Sequence, residues 1–154
     1  MTLPGRRLGL LLAGVVLLAP SCGGGTPSSD ELARSVTEAR DRVDAALEDV
    51  TRADTKDEFL ERMDGAADLI GSAARHVEDA GAPSGYETEA DELVAALDQL
   101  AFDVRATADQ VRQPGFGYLL RGTRGLSFES WDRVNLALVA LRRKGIEVTP
   151  LERH

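Results

Sequence analysis

Residues 28–53 read SSDELARSVTEARDRVDAALEDVTRA, and their apolar positions decide the fold. Leu32, Val36, Ala39, Val43, Ala46, Val50 and Ala53 fall at alternating spacings of four and three. Such spacing is the seam of a packed helix, because a turn of about 3.6 residues brings these positions onto one face. The rhythm recurs in Phe59, Met63, Ala66, Ile70, Ala73, Val77 and Ala80. It returns in Tyr86, Ala90, Leu93, Leu97, Leu100 and Val104, and runs on through Ala108 and Val111. Beside the seams, Leu47, Leu60, Ala67, Ala74, Val94 and Ala101 are apolar too, which widens each stripe to the face of a globular bundle.

Helix starts and stops agree with the stripes. Ser28-x-x-Glu31, Thr55-x-x-Glu58 and Ser84-x-x-Glu87 each have the form of a capping box, in which a hydroxyl accepts from a free N–H and the Glu reaches back. Gly81 followed by Pro83, and Pro114-Gly115, read as stops. A fourth helix is expected to open near Ser127 and to end in a Schellman turn at Lys144-Gly145-Ile146. Neither strand alternation nor an internal repeat beyond the heptads is present. Short connections between long helices make neighbours antiparallel. The expected fold is therefore all-α, an antiparallel four-helix bundle running up-down-up-down, with a long connection before helix four. The rival is a three-helix coiled coil with the fourth helix across one end.

Composition bounds the chemistry. The 154 residues carry 26 Asp and Glu against 18 Lys and Arg, a net charge of −8, which lacks the basic footprint a nucleic-acid binder needs. One core suits this length. A single Cys makes no internal disulfide, and two His residues build no zinc or di-iron site unaided. With aromatics at 5%, the core must be filled mainly by Leu, Val and Ala.

Residues 1–21 read as a signal peptide. Arg6 and Arg7 precede an apolar run from Leu8 to Ala19, which is shorter than the roughly 20 residues of a spanning helix. Ala19-Pro20-Ser21 then leads into Cys22, and Gly23 to Ser29 have the composition of a flexible tether. Cys22 at this junction resembles the lipobox of bacterial lipoproteins, whose signal peptidase cuts before a Cys that carries diacylglycerol. The likeness covers residues 1–22 only, and Ala19 stands where that family usually has Leu. It implies lipidation at Cys22 and anchoring to the outer face of a bacterial cell membrane. Ala19-Pro20-Ser21 equally fits ordinary signal peptidase, which would release a soluble secreted protein with a free thiol. Gly5-Arg6-Arg7-Leu8-Gly9-Leu10 loosely resembles a twin-arginine signal, so both export routes stay open. The expected organisation is signal peptide 1–21, tether 22–29, helical domain 30–148 and C-terminal tail 149–154.

Motifs for catalysis are missing. Ala73 stands three residues before His76, so the Glu-x-x-His of di-iron bundles is not there. His76 reads as a structural or exposed histidine, and Met63 as core filler. No Gly-x-Ser-x-Gly elbow and no phosphate-binding Gly-Lys-Ser/Thr loop occurs. Glu38/Arg42, Glu48/Arg52 and Glu58/Arg62 have the favoured i,i+4 order and read as solvated helix surface, with an acidic docking face as the alternative. No metal and no cofactor is expected.

The last third differs. Cys22 to Gln113 carry 22 acidic and 9 basic residues, a net −13, whereas Pro114 to His154 carry 4 and 7, a net +3. The connection Pro114–Leu126 is long enough to suggest function. Arg121 and Arg124 could hold an anion there; alternatively Phe116, Tyr118 and Leu119 pack over the bundle end while the arginines meet acidic helices. In helix four Trp131, Val134, Leu138 and Leu141 form a stripe, but Leu136 and Val139 project elsewhere. A helix apolar on several sides is central in its fold or shared with a partner. Asn135 beside the stripe reads as a buried polar register device or a ligand contact, and Phe102 falls opposite its own seam. The candidate surface is thus Phe116, Tyr118, Arg121, Arg124, Trp131, Asn135, Leu136 and Val139. The expected function is a membrane-anchored envelope lipoprotein whose non-catalytic bundle binds a protein partner or ligand. The alternatives are an enzyme or small-molecule carrier with a pocket between the bundle end and residues 114–126, and a structural spacer that self-associates through helix four.

Overall fold

A computed structural model describes residues 27–115 and 128–153. Among them are four helices and no strand: α1 Ser29–Thr51, α2 Lys56–Ala80, α3 Glu87–Arg112 and α4 Glu129–Arg143. Ion pairs and hydrogen bonds fix their directions. Ser35 Oγ donates to the His76 carbonyl at 2.9 Å, while Arg62 meets the Asp49 carboxylate at 3.1 Å, so α1 and α2 run antiparallel. Arg105 reaches Asp68 at 2.6 Å and Arg112 reaches Asp64, which sets α3 against α2 in the same way. Ser130 donates to Asp103 at 2.6 Å and Lys144 to Glu89 at 2.6 Å, so α4 returns along α3 rather than crossing one end. The fold is the antiparallel four-helix bundle.

The seams are the core. Leu32, Val36, Val43 and Val50 of α1, Met63, Ile70 and Val77 of α2, and Leu93, Leu97, Leu100 and Val104 of α3 are all buried. Trp131, Val134, Leu138 and Leu141 of α4 complete it. Ala53, Ala80 and Tyr86, at the ends of their stripes, are only half-buried.

The hydroxyl half of the capping box forms at two starts and is missing at the third. Ser28 Oγ accepts from the Glu31 N–H, and Thr55 Oγ1 from the Glu58 N–H, both at 3.2 Å. Glu58 reaches back to the Asp54 N–H at 3.1 Å, one residue before the cap. Ser84, however, does not cap α3: the N-cap is Tyr86, with no side-chain hydrogen bond. Gly85 takes a left-handed φ of 92°, which breaks the helix path between Ser84 and Glu87, and Glu87 accepts instead from the Gly85 N–H at 2.6 Å. Replacing Thr55 by Ala should lower stability by about 1 kcal/mol, read as a shifted midpoint in urea. An unchanged midpoint would mean the cap contributes nothing.

The stop of α4 is a Schellman turn. Ile146 N–H donates to the Leu141 carbonyl at 3.1 Å and Gly145 N–H to Arg142 at 3.0 Å, with Gly145 at φ 101° and Ile146 buried. The same end is tied to the α2–α3 turn: Tyr86 Oη donates to the Lys144 carbonyl at 3.0 Å, and Lys144 Nζ to the Gly85 carbonyl at 2.5 Å.

Helix-on-helix packing runs α1 on α2, α2 on α3 and α3 on α4. Between α4 and α1 the C-terminal segment intervenes. Ile146, Val148 and Leu151 belong to the same core as the helices. Arg40 of α1 donates to the Pro150 carbonyl at 3.0 and 3.3 Å, and Asp44 accepts from the Glu152 N–H at 2.9 Å. From α4, Asn135 Oδ1 accepts from the Leu151 N–H at 2.7 Å, and Asp132 holds Arg153 at 3.0 Å. This strap closes the bundle along its fourth side.

Candidate functional site

Cys22, the expected lipidation site, and Phe116, Tyr118, Arg121 and Arg124 of the expected surface lie outside the described residues. The other four are all on α4, and the structure separates them. Trp131 is 4% exposed, so its ring belongs to the core. Its Nε1 is buried and has no hydrogen-bond partner among the described residues, and the N-cap of this helix, Phe128, makes no side-chain bond. Asn135 is half-buried and spends its side-chain oxygen on the strap, so it orders a tertiary contact rather than a helix register. Val139 is half-buried. Leu136 is 68% exposed.

Leu136 lines an open groove of about 460 Å³ between α3 and α4, together with Glu92, Ala95, Ala96, Gln99, Arg133 and Ala137. Ala95, Ala96 and Ala137 leave space along its floor, since their side chains are too short to fill it. Its rim is polar: Arg133 stands 3.8 Å from Glu129, and Gln99 donates to Asp103 at 2.8 Å. Phe102, three residues beyond Gln99 and seven beyond Ala95, shares this face of α3 and is 64% exposed. Two large apolar side chains therefore lie on the α3/α4 side, whereas Leu69 is the remaining exposed large apolar residue among those described. An apolar floor with a polar rim has the anatomy of a protein-docking surface.

Among the described residues nothing comparable gathers catalytic groups. The carboxylates with displaced titration are all pulled toward the ionised form. Glu58 is lowered chiefly by the Asp54 N–H, Glu87 by backbone N–H groups including its own and that of Gly85, and Glu89 by Lys144. Each stabilises a helix start or a turn, which is the opposite of the raised carboxyl a general acid needs. His76 Nε2 sits 3.2 Å from Glu38, at the rim of a small groove between α1 and α2. The i,i+4 pairs Glu38/Arg42, Glu48/Arg52 and Glu58/Arg62 all form on the surface. Among the described residues no three His, Cys, Asp or Glu side chains converge as a metal site, and no helix is long and apolar enough to cross a membrane.

A second cleft was not signalled by the helical stripes. It opens between α1, the end of α4 and the strap, with a volume of about 600 Å³. The alternation Ile146-Glu147-Val148-Thr149 after the Gly145 stop was its one sequence cue, since period two marks an extended chain. No protein-family model matches the chain, and neither a curated protein nor a solved structure is detectably similar to it.

Proposed function

We propose that this chain is an exported lipoprotein, held to the outer face of a bacterial cell membrane by lipid on Cys22, whose bundle has no catalytic role and docks a protein partner. The exposure of Leu136 carries the docking half of this reading. Every other Leu of α4 is buried, yet Leu136 stands in solvent beside an alanine-floored groove. Covering such a side chain contributes about 1.5–3 kcal/mol, and Phe102 on the same side offers a second anchor. The anchoring half is supported by the place of Cys22, between an apolar leader and a Gly-rich tether. Two or more acyl chains on one residue hold a protein stably at a bilayer.

Leu136→Glu separates docking from folding. An exposed position tolerates the charge, so the melting temperature should hold, within the ~0.5 kcal/mol usual for surface changes. Capture of a partner by in-cell cross-linking should be lost. Loss of self-association in the same variant would assign the face to a second copy. A folded variant with unaltered cross-links and unaltered oligomeric state would remove the α3/α4 face from the reading.

A further inference from the structure

The cleft between α1, α4 and the strap is lined by Thr37, Arg40 and Asp41 of α1, Arg142 of α4 and residues 145–149. It lies on the α1 side of α4, whereas Leu136 lines the α3 side. Three features of it bear on what it could bind. The strap is extended here, with Ile146 and Val148 turned into the core and Glu147 and Thr149 turned out. Yet no backbone N–H or C=O of Glu147, Val148 or Thr149 finds a partner among the described residues. The edge is also held rigidly at both ends, by the Schellman turn at Gly145 and by Arg40, Asn135 and Asp44 on residues 150–152.

The charges are unequal in their commitments. Arg40 is engaged with Asp41 at 3.0 Å, Asp44 at 3.6 Å and the Pro150 carbonyl, which also settles Asp41. The guanidinium of Arg142 has no ion pair or hydrogen bond among the described residues. Neither has the carboxylate of Glu147.

We infer that this cleft is a peptide-binding site: an extended segment of another protein pairs its backbone with residues 147–149 and places one carboxylate on Arg142. A pinned extended segment with unpaired backbone groups is a template for strand addition, in which main-chain bonds give affinity and side-chain pockets give selectivity. Pro150 ends the template, because it has no N–H. The cleft volume lies within the ~300–1,000 Å³ of ligand sites, and its open form suits a chain lying across it rather than an enclosed small molecule. Arg142 supplies a bidentate donor for a carboxylate, and Glu147 disfavours a uniformly acidic peptide. This site is independent of the α3/α4 face.

The test uses a phage library of linear nonapeptides panned on the purified chain, with the best binder then synthesised. In the free protein the amides of Glu147 to Thr149 exchange rapidly with solvent; at saturation with the peptide the alternate ones, on the edge the peptide pairs with, should slow by about tenfold or more. Arg142→Gln should weaken binding on the order of tenfold, the scale of one charge-assisted hydrogen bond, while Arg133→Gln and Leu136→Glu should leave it unchanged. Failure to enrich any peptide would overturn the site. So would a peptide that protects α3 and α4 while residues 147–149 stay unprotected, a readout on the unmutated chain that needs no variant to fold.

Discussion

Ile70→Ala should cost about 2–5 kcal/mol, whereas Leu69→Ala beside it should change stability by no more than ~0.5 kcal/mol. The contrast follows from position. Ile70 is fully buried at the middle of α2, among the seam residues of the neighbouring helices, and truncation there leaves a cavity as well as lost transfer energy. Leu69 is 50% exposed and removes little from water. Urea denaturation of the two variants measures the difference directly. Equal effects would mean that α2 is rotated from the face its stripe assigns. Since a domain of this size has only ~5–15 kcal/mol in hand, Ile70→Ala alone removes a large share of it.

Ending the chain after Gly145 should have a comparable or larger effect. The cut removes Ile146, Val148 and Leu151, all buried, at about 1.5–3 kcal/mol each in lost burial. It also leaves the guanidinium of Arg40 without its carbonyl and Asn135 without its N–H donor. Some conformational entropy is regained by the shortened chain, so the net loss is smaller than the sum. A fall in melting temperature of about ten degrees or more is expected. A truncated chain that melts within about two degrees of the full one would show that α1 and α4 close the bundle without the strap.

The helices were legible because their signal repeats. In the first three helices seven or more seam positions at a period near 3.6 outweigh any local ambiguity, and Ser28, Thr55 and Gly145 mark boundaries by chemistry that acts within a few residues. Ser84 misled for a related reason. Its capping pattern is intact in the sequence, but the left-handed turn at Gly85 takes the backbone off the helix path before Glu87. The strap was hard to see because six extended residues carry few alternations, and its partners lie far away in the chain. Asn135 meets Leu151 sixteen positions on, and Arg40 of α1 meets Pro150 across 110 positions of chain. For the candidate site, Leu136 was visible as a break in the amphipathic pattern of α4. The groove beside it was not, since it arises from alanines facing across two helices.

The place of the protein in the cell rests on Cys22, and metabolic labelling with a fatty acid tests it most directly. The bundle is expected to be held at a membrane, so label should enter the wild-type chain and be lost in Cys22→Ala, with the labelled protein in the membrane fraction. Unlabelled wild-type protein released into the culture medium would contradict anchoring and leave the bundle a soluble secreted domain.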